Sequence, residues 1–305
     1  MAEFSVIETY FNRQQLNGAD VGVGDDSALI MPPAHQQLVT CVDTLVAGRH
    51  FPLQTDPHAI GWKSVAVNLS DLAAMGAKPD SILLALSLPQ IDHAWLKGFS
   101  QGLYDCCDQF GVRLIGGDTT QNPQLTISVT ALGWIETGQA ILRSGAQVGD
   151  LICVSGTVGD AAFGLQHLGH HLQHRLDYPT PRCALGQQLK GLANSMIDVS
   201  DGLAQDLGHI LTSSRVGAEI NLDKLPLSDT INQLQPQQQW QYALAGGDDY
   251  ELCFTISPEN YSQLLQQQLD VNVTMIGQIT TAQQLKFKHF NQEIALRFNG
   301  YQHFA

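Results

Sequence analysis

Six short segments set aspartate beside glycine or another small residue: GVGDDSAL (Gly22–Leu29), CVDTLV (Cys41–Val46), NLSDLAAMG (Asn68–Gly76), LIGGDTT (Leu114–Thr120), IDVSDGL (Ile197–Leu203) and AGGDDYEL (Ala245–Leu252). Aspartate is short and rigid, so each taken singly could be a helix cap or a turn. Together they place Asp25, Asp26, Asp43, Asp71, Asp118, Asp198, Asp201, Asp248 and Asp249 at the ends of elements, where α/β proteins build their sites. Two carboxylates 4 Å apart repel by ~4 kcal/mol at an effective dielectric near 20, so such a set converges only around cations. Oxygen ligands select hard cations, and Mg²⁺ takes one or two carboxylates together with water and substrate phosphates, whereas zinc would ask for His and Cys. The chemistry expected is that of a polyphosphate site bridged by metal.

The composition points the same way. The chain carries 29 acids against 15 bases, a formal charge of −14, and the acids divide into 22 Asp and 7 Glu. Glu is the better helix former, so a surplus of Asp needs caps, turns or metal sites to explain it. The few scattered lysines and arginines exclude nucleic acid as a partner. Six cysteines without a CxxC read as reduced and buried. The N-terminus lacks a secretory apolar region and no apolar run approaches the ~18 residues of a membrane span, so the expectation is a cytoplasmic protein with no membrane contact. There is no GxxxxGK[ST], GVGDDS departs from GxGxxG, and HRD, DFG and GxSxG are missing, which removes the P-loop, the protein kinases and the nucleophile elbow.

The elements that must position these acids alternate. Phe4, Ile7, Tyr10 and Phe11 predict a helix ending near Asn17-Gly18, and Leu38–Val42 a strand that delivers Asp43 to its end. A helix follows from Pro57 to Gly76, with Lys63 on its solvent side and without a role. Then come a buried strand Ser81–Leu88, a helix capped by Asp92 and stopped by Gly111, and strands near Val112–Ile115 and Thr126–Trp134. The turn-rich stretch 136–150 marks a boundary, giving domains 1–137 and 138–305. The second half predicts strands Leu151–Ser155, Met196–Val199, Ala218–Leu222 and Tyr250–Ile256. Its helices fall near Asp160–Leu168, Arg182–Ala193, Leu203–Thr212 and Gln238–Ala245 and after Pro258. The fold class is α/β (α+β), with Asp25, Asp249 and Glu251 read as structural.

In order along the chain, GDDSAL, DTLVAGRHF, AVNLSDLAAMGAKP, LIGGDTT, LRSGAQVGD, IDVSDGL, GGDDYELCF and the closing GYQHF resemble the thiamine-monophosphate kinase family, a branch of the aminoimidazole ribonucleotide synthetase-like superfamily. The resemblance implies two α/β domains, the N-terminal ones pairing across a homodimer into a barrel-like sheet. It also implies direct, Mg²⁺-assisted transfer of the γ-phosphoryl group of ATP to thiamine monophosphate. Carried over, Asp26, Asp43, Asp71, Asp118, Asp198 and Asp201 match metal ligands. Tyr104, Gly117, Arg143 and Ser200 match nucleotide contacts, with Asp118, Arg143 and Asp198 as the catalytic set, and His50, Asp248 and Tyr301 match the substrate site. Two departures stand out: Cys41-Val42 replaces the family's usual Ser-Thr before Asp43, and Asp248 stands where Glu is common. The alternatives are a related ATP-using synthetase, disfavoured because no N-terminal reactive Cys is visible, and a non-catalytic nucleotide-binding module.

Overall fold

The computed structural model describes residues 2–13, 19–24 and 26–296. It divides into two units: unit 1 comprises the chain up to Leu72 and Ala77–Gly138, and unit 2 comprises Ala73–Gly76 and the chain from Gln139 onward.

Unit 1 begins with a short helix α1 (Ala2–Val6), which widens into a π-helical turn at Ile7–Phe11. A two-stranded pair follows, β1 (Ala19–Val21) with β2 (Leu29–Ile30), closing the loop that carries Asp26. The rest is a four-stranded sheet made of β3 (Gln36–Val46), β4 (Lys78–Leu88), β5 (Arg113–Gln121) and β6 (Thr126–Glu136), in the order β3-β6-β4-β5. The β4–β5 pair is parallel and the other two are antiparallel. A parallel pair needs a crossover, which α3 (His93–Phe110) supplies. Its start is fixed by Asp92, whose carboxylate accepts the amides of Ala94 and Trp95, and its stop by Gly111 at φ 66°. The preceding helix α2 (Pro57–Ala74) has Pro at its first position and is buried on nearly all sides, from Ile60 and Val65 to Leu69 and Leu72.

The strands are longer than the sequence predicts. β3 continues to Val46, so Asp43 lies within the strand, and β5 runs through GGDTT to Gln121, so Asp118 is an in-strand residue as well. Glycine, aspartate and threonine read as a loop by composition, but the parallel register Leu83↔Gly116 through Leu88↔Gln121 holds the segment in the sheet. Gly117 pays for its place in conformation: at φ 153° its backbone passes so close to β4 that a Cβ would sit 1.9 Å from the Leu84 carbonyl oxygen. The first helix is shorter than expected within the described residues, and its predicted end at Asn17-Gly18 lies outside them.

Unit 2 is a seven-stranded sheet in the order β13-β12-β9-β11-β7-β10-β8. Its strands are β7 (Leu151–Ser155), β8 (Ala193–Asp198), β9 (Gly217–Asn221), β10 (Leu252–Ile256), β11 (Val273–Thr280), β12 (Leu285–His289) and β13 (Gln292–Ile294). Its helices are α4 (Asp160–Gln166), α5 (Gln173–Asp177), α6 (Cys183–Gln188), α7 (Leu203–Ser214), α8 (Asp229–Asn232), α9 (Pro236–Ala245) and α10 (Pro258–Leu264). Ile152, Val154, Ile197, Leu207, Ile210, Trp240 and Cys253 pack in its core. β10 starts two residues later than predicted, because Tyr250 stands at φ 51° and cannot join the ladder. All six cysteines are free, and all but the half-buried Cys41 are buried.

Candidate functional site

In unit 1, alternate residues of β3 face α2, and this brings Cys41 and Asp43 to the one turn of that helix that carries Asn68 and Asp71. Asn68 organises the junction. Its Nδ2 donates to the Ser64 carbonyl at 3.0 Å, which fixes the amide so that Oδ1 accepts the backbone N–H of Asp43, also at 3.0 Å. The Cys41 thiol donates to the Asn68 carbonyl at 3.3 Å. Burial, and then the charges of Asp71 and Asp43, push this thiol far up from its ordinary range. Cys41 is therefore a neutral thiol beside two carboxylates, which is a poor ligand for a hard cation. Val42 is 60% exposed on the opposite side of the strand, so only one of the two departures from Ser-Thr touches the acidic junction.

Asp118 lies elsewhere in the sheet. Its register runs Asp118, Ala85, Ser128, Thr44, which puts it on the far edge strand, three strand spacings or roughly 14 Å from β3. Asp26 is exposed in the loop before β2. Among the described residues no three of His, Cys, Asp and Glu stand together as a metal cage. Neighbouring acids such as Asp43 and Asp71 remain, and one or two carboxylates are what Mg²⁺ takes from a protein when phosphates complete its shell. The donor set thus fits a hard cation.

His50 closes the turn after β3. The amides of Arg49 and His50 both reach the Val46 carbonyl at 3.0 Å, and the Val46 amide donates to His50 Nδ1 at 3.0 Å. Nδ1 is thereby an acceptor, which assigns the proton of the neutral ring to Nε2. Tyr104, on α3, is buried, and the Arg13 guanidinium lies 3.7 Å from its ring centroid while also pairing with Asp108 at 2.8 Å. Lys63, expected at the solvent face of its helix, is only 3% exposed. The helix has no solvent stripe wide enough to hold it, since α2 is covered on nearly all sides.

In unit 2 the acids sit on two loops that are joined backbone to backbone. Asp198 ends β8, and Ser200 and Asp201 follow it. The amides of Asp248 and Tyr250 donate to the carbonyls of Ser200 and Val199 at 2.9 and 2.8 Å, and the Val199 amide donates to Glu251 at 2.8 Å. Gly247 permits the approach, since a Cβ there would lie 2.5 Å from the Ser200 carbonyl oxygen. Asp248 and Tyr250 both hold positive φ, 69° and 51°, a conformation that costs non-glycine residues about 1–3 kcal/mol each. The Tyr250 hydroxyl donates to Asp248 at 3.0 Å.

Three residues beyond the aspartates of the glycine-flanked set support the acids, Asp206 and Tyr250 at these loops and Asn68 at the junction of β3 and α2. Asp206, in the first turns of α7, reaches back to accept the amides of Ser200 and Asp201 at 3.0 and 3.1 Å. Burial, and then the charge of Asp198, push its carboxyl up to about 7. An acid in the first turn of a helix is favoured by the helix dipole, and that is the signal that marks it in the sequence. Tyr250 is visible only once the loop conformation is known. Asn68 shares a helix face with Asp71 at i, i+3, which the NLSD spacing already contains. Asp249 and Glu251 are structural, as expected: Asp249 accepts the amides of Gly159 and Ala161, and the fully buried Glu251 is held by Ser155, Arg175 and Arg182. Arg143 is exposed in the loop ahead of β7, and Tyr301 and Asp25 lie outside the described residues.

A fold of this kind, with paired acids on a sheet in one unit and on joined loops in the other, matches a described class. Residues 24–135 match the family "AIR synthase related protein, N-terminal domain" and residues 147–289 match "AIR synthase related protein, C-terminal domain". The thiamine-monophosphate kinase of Escherichia coli (strain K12) is 46% identical over 320 residues, covering 99% of this chain and 98% of that protein. The crystal structure of thiamine-monophosphate kinase from Stenotrophomonas maltophilia K279a superposes with a TM-score of 0.84 at 45% identity, covering 90% of this chain and 92% of that one. A further structure, described as AaThiL complexed with AMPPCP and TMP, gives a TM-score of 0.79 at 30% identity, covering 90% and 89%. The chain belongs to the AIR synthase related proteins and, among them, to the thiamine-monophosphate kinase family.

Proposed function

We propose that the chain phosphorylates thiamine monophosphate to thiamine diphosphate by direct transfer of the γ-phosphoryl group of ATP. The observation that carries the reading is the hydrogen bond from the Asp248 amide to the Ser200 carbonyl, because it ties the residue matched to the acceptor to the residue matched to the nucleotide. Phosphoryl transfer is catalysed mainly by positioning, and a donor and acceptor site on two joined loops is suited to it.

The nucleophile is a phosphate monoester whose second pKa is ~6, so at neutral pH it needs no general base. What must be overcome is repulsion between two anions in an acidic protein. Asp26, Asp43, Asp71 and Asp118 of unit 1 and Asp198 and Asp201 of unit 2 are the residues to hold Mg²⁺. When bound, it supplies charge neutralisation of the phosphates. Tyr104, Gly117, Ser200 and Arg143 serve the nucleotide, and His50, Asp248 and Tyr301 serve the acceptor. Arg143 contributes a fixed cation to the phosphates.

The working form is a cytoplasmic homodimer that pairs two four-stranded sheets. Support comes from β3 and β5, which are edge strands, and from Leu38 and Val42, which stand 48% and 60% exposed on the face away from the helices. No helix among the described residues is long and apolar enough to cross a membrane. The test is to mix the protein with ATP, thiamine monophosphate and Mg²⁺ and to measure thiamine diphosphate and ADP. Equimolar products that vanish with EDTA and return with added Mg²⁺ are expected. Product formation under full chelation would remove the metal from the mechanism, and no product at all would remove the function.

A further inference from the structure

A lysine buried to 3% exposure inside a helix is uncommon, because taking an ammonium out of water costs several kcal/mol unless the surroundings recover it. Lys63 enters the interior from the second turn of α2, and its Nζ stands 3.5 Å from the carbonyl oxygen of His50 as a donor. That carbonyl belongs to a turn with little freedom of its own. Gly48 donates to Phe51 at 2.9 Å, Arg49 and His50 donate to Val46, and the Val46 amide in turn holds the His50 ring by Nδ1. Phe51, next in the chain, is buried. The imidazole is thus fixed to the backbone of its own turn, and that backbone meets the buried Lys63 ammonium at the His50 carbonyl. A displaced residue 50 carbonyl moves the ring with it, and in a low-dielectric interior the attraction between an ammonium and a carbonyl dipole is strong. A cation behind the turn also favours an anion in front of it.

We propose that Lys63 is a positioning residue for the phosphate acceptor: from α2 it fixes the turn 46–51, and through that turn the His50 imidazole, in the orientation that binds thiamine monophosphate. The inference rests on the reading of His50 as a substrate residue. Lys63 meets this turn at the His50 carbonyl. Its influence passes through the His50 backbone, and so it separates acceptor binding from nucleotide binding.

The test is a double-mutant cycle with Lys63→Met and His50→Ala, with KM measured separately for thiamine monophosphate and for ATP. Lys63→Met is expected to raise KM for thiamine monophosphate about tenfold, the worth of a hydrogen bond to a charged group, while KM for ATP and kcat at saturation stay within about twofold. In the His50→Ala background the same change should add nothing, so that the double variant equals His50→Ala. If Lys63→Met does not fold, Lys63→Gln keeps a donor without the charge and should show the same split between the two KM values with a smaller rise for thiamine monophosphate. A rise in both KM values, or additive effects, would overturn the inference. So would an unchanged KM for thiamine monophosphate in a folded variant when His50→Ala alone raises it. If His50→Ala leaves that KM unchanged, the reading of His50 falls, and this inference with it.

Discussion

Cys41 and Asp43 take their places from an eleven-residue strand hydrogen-bonded along its length to β6, with α2 laid over one face. Asp198 ends β8 instead, and Ser200, Asp201 and Asp248 sit on the loops beside it, where Asp248 and Tyr250 hold positive φ and buried polar side chains back the bonds between the two backbones. Behind them Glu251 accepts from Arg175 and Arg182 at 2.7 Å, Asp249 takes the amides at the start of α4, and Asp206 takes the amides of Ser200 and Asp201. Regular structure positions a side chain with neutral backbone bonds, at low cost but along fixed directions. Loops can aim it anywhere, provided that buried side-chain hydrogen bonds offset their strain. The first arrangement should tolerate loss of a buried polar partner and the second should not.

Glu251→Gln tests the contrast most severely. It leaves Arg175 and Arg182 facing a neutral amide in the interior, and removal of one partner of a buried pair costs about 3–5 kcal/mol. A large fall in melting temperature is expected, and an unchanged one would mean that the loops are held by their backbone bonds alone.

Asp206→Asn comes next. The folded-state carboxyl is raised from 3.8 to about 7, so between those values the native protein keeps a proton that the unfolded chain releases. Stability without divalent cation therefore falls as pH rises through that window and levels off above it. The amide variant, which still offers an oxygen to Ser200 and Asp201, should lose this slope. Thermal melts in EDTA across the window would show it, and parallel curves for the two proteins would count against the shift.

The smallest effect is expected in unit 1. Cys41→Ser replaces a neutral thiol with a harder oxygen ligand beside Asp43 and Asp71, and should lower the Mg²⁺ concentration for half-maximal activity a few-fold with little change at saturation. Val42→Thr, on the other side of the strand, should leave the Mg²⁺ dependence unaltered. If Val42→Thr alone produced the gain, the assignment of faces would be wrong.

Much of this was legible where local chemistry and burial agree. Asp92 and Gly111 bound α3 as their residue types require, and the apolar run Ser81–Leu88 is a strand of the sheet. Reading failed where pairing partners decide. LIGGDTT has a loop's composition but lies in β5 because β4 offers it a parallel register, and Tyr250 has strand propensity but leaves the ladder to reach Asp248. Lys63 was misplaced because periodicity tells which residues are apolar, not whether a helix has a wet side. Asp206 carries no glycine beside it and so lacks the pattern that marks the other acids.

The four residues Ala73–Gly76 belong to unit 2 although they are made with unit 1. The Ile141 amide donates to the Met75 carbonyl at 3.1 Å, and Gly186 meets Ala73 so closely that a Cβ would lie 2.3 Å from its carbonyl oxygen. During synthesis this segment leaves the ribosome long before its partners, so the end of α2 must wait until residues beyond Ala140 and then the Gly186 region have emerged. Neither unit can be cut from the gene as one uninterrupted piece. A fragment beginning at Gln139 would leave the Ile141 amide without its Met75 partner and Gly186 without Ala73.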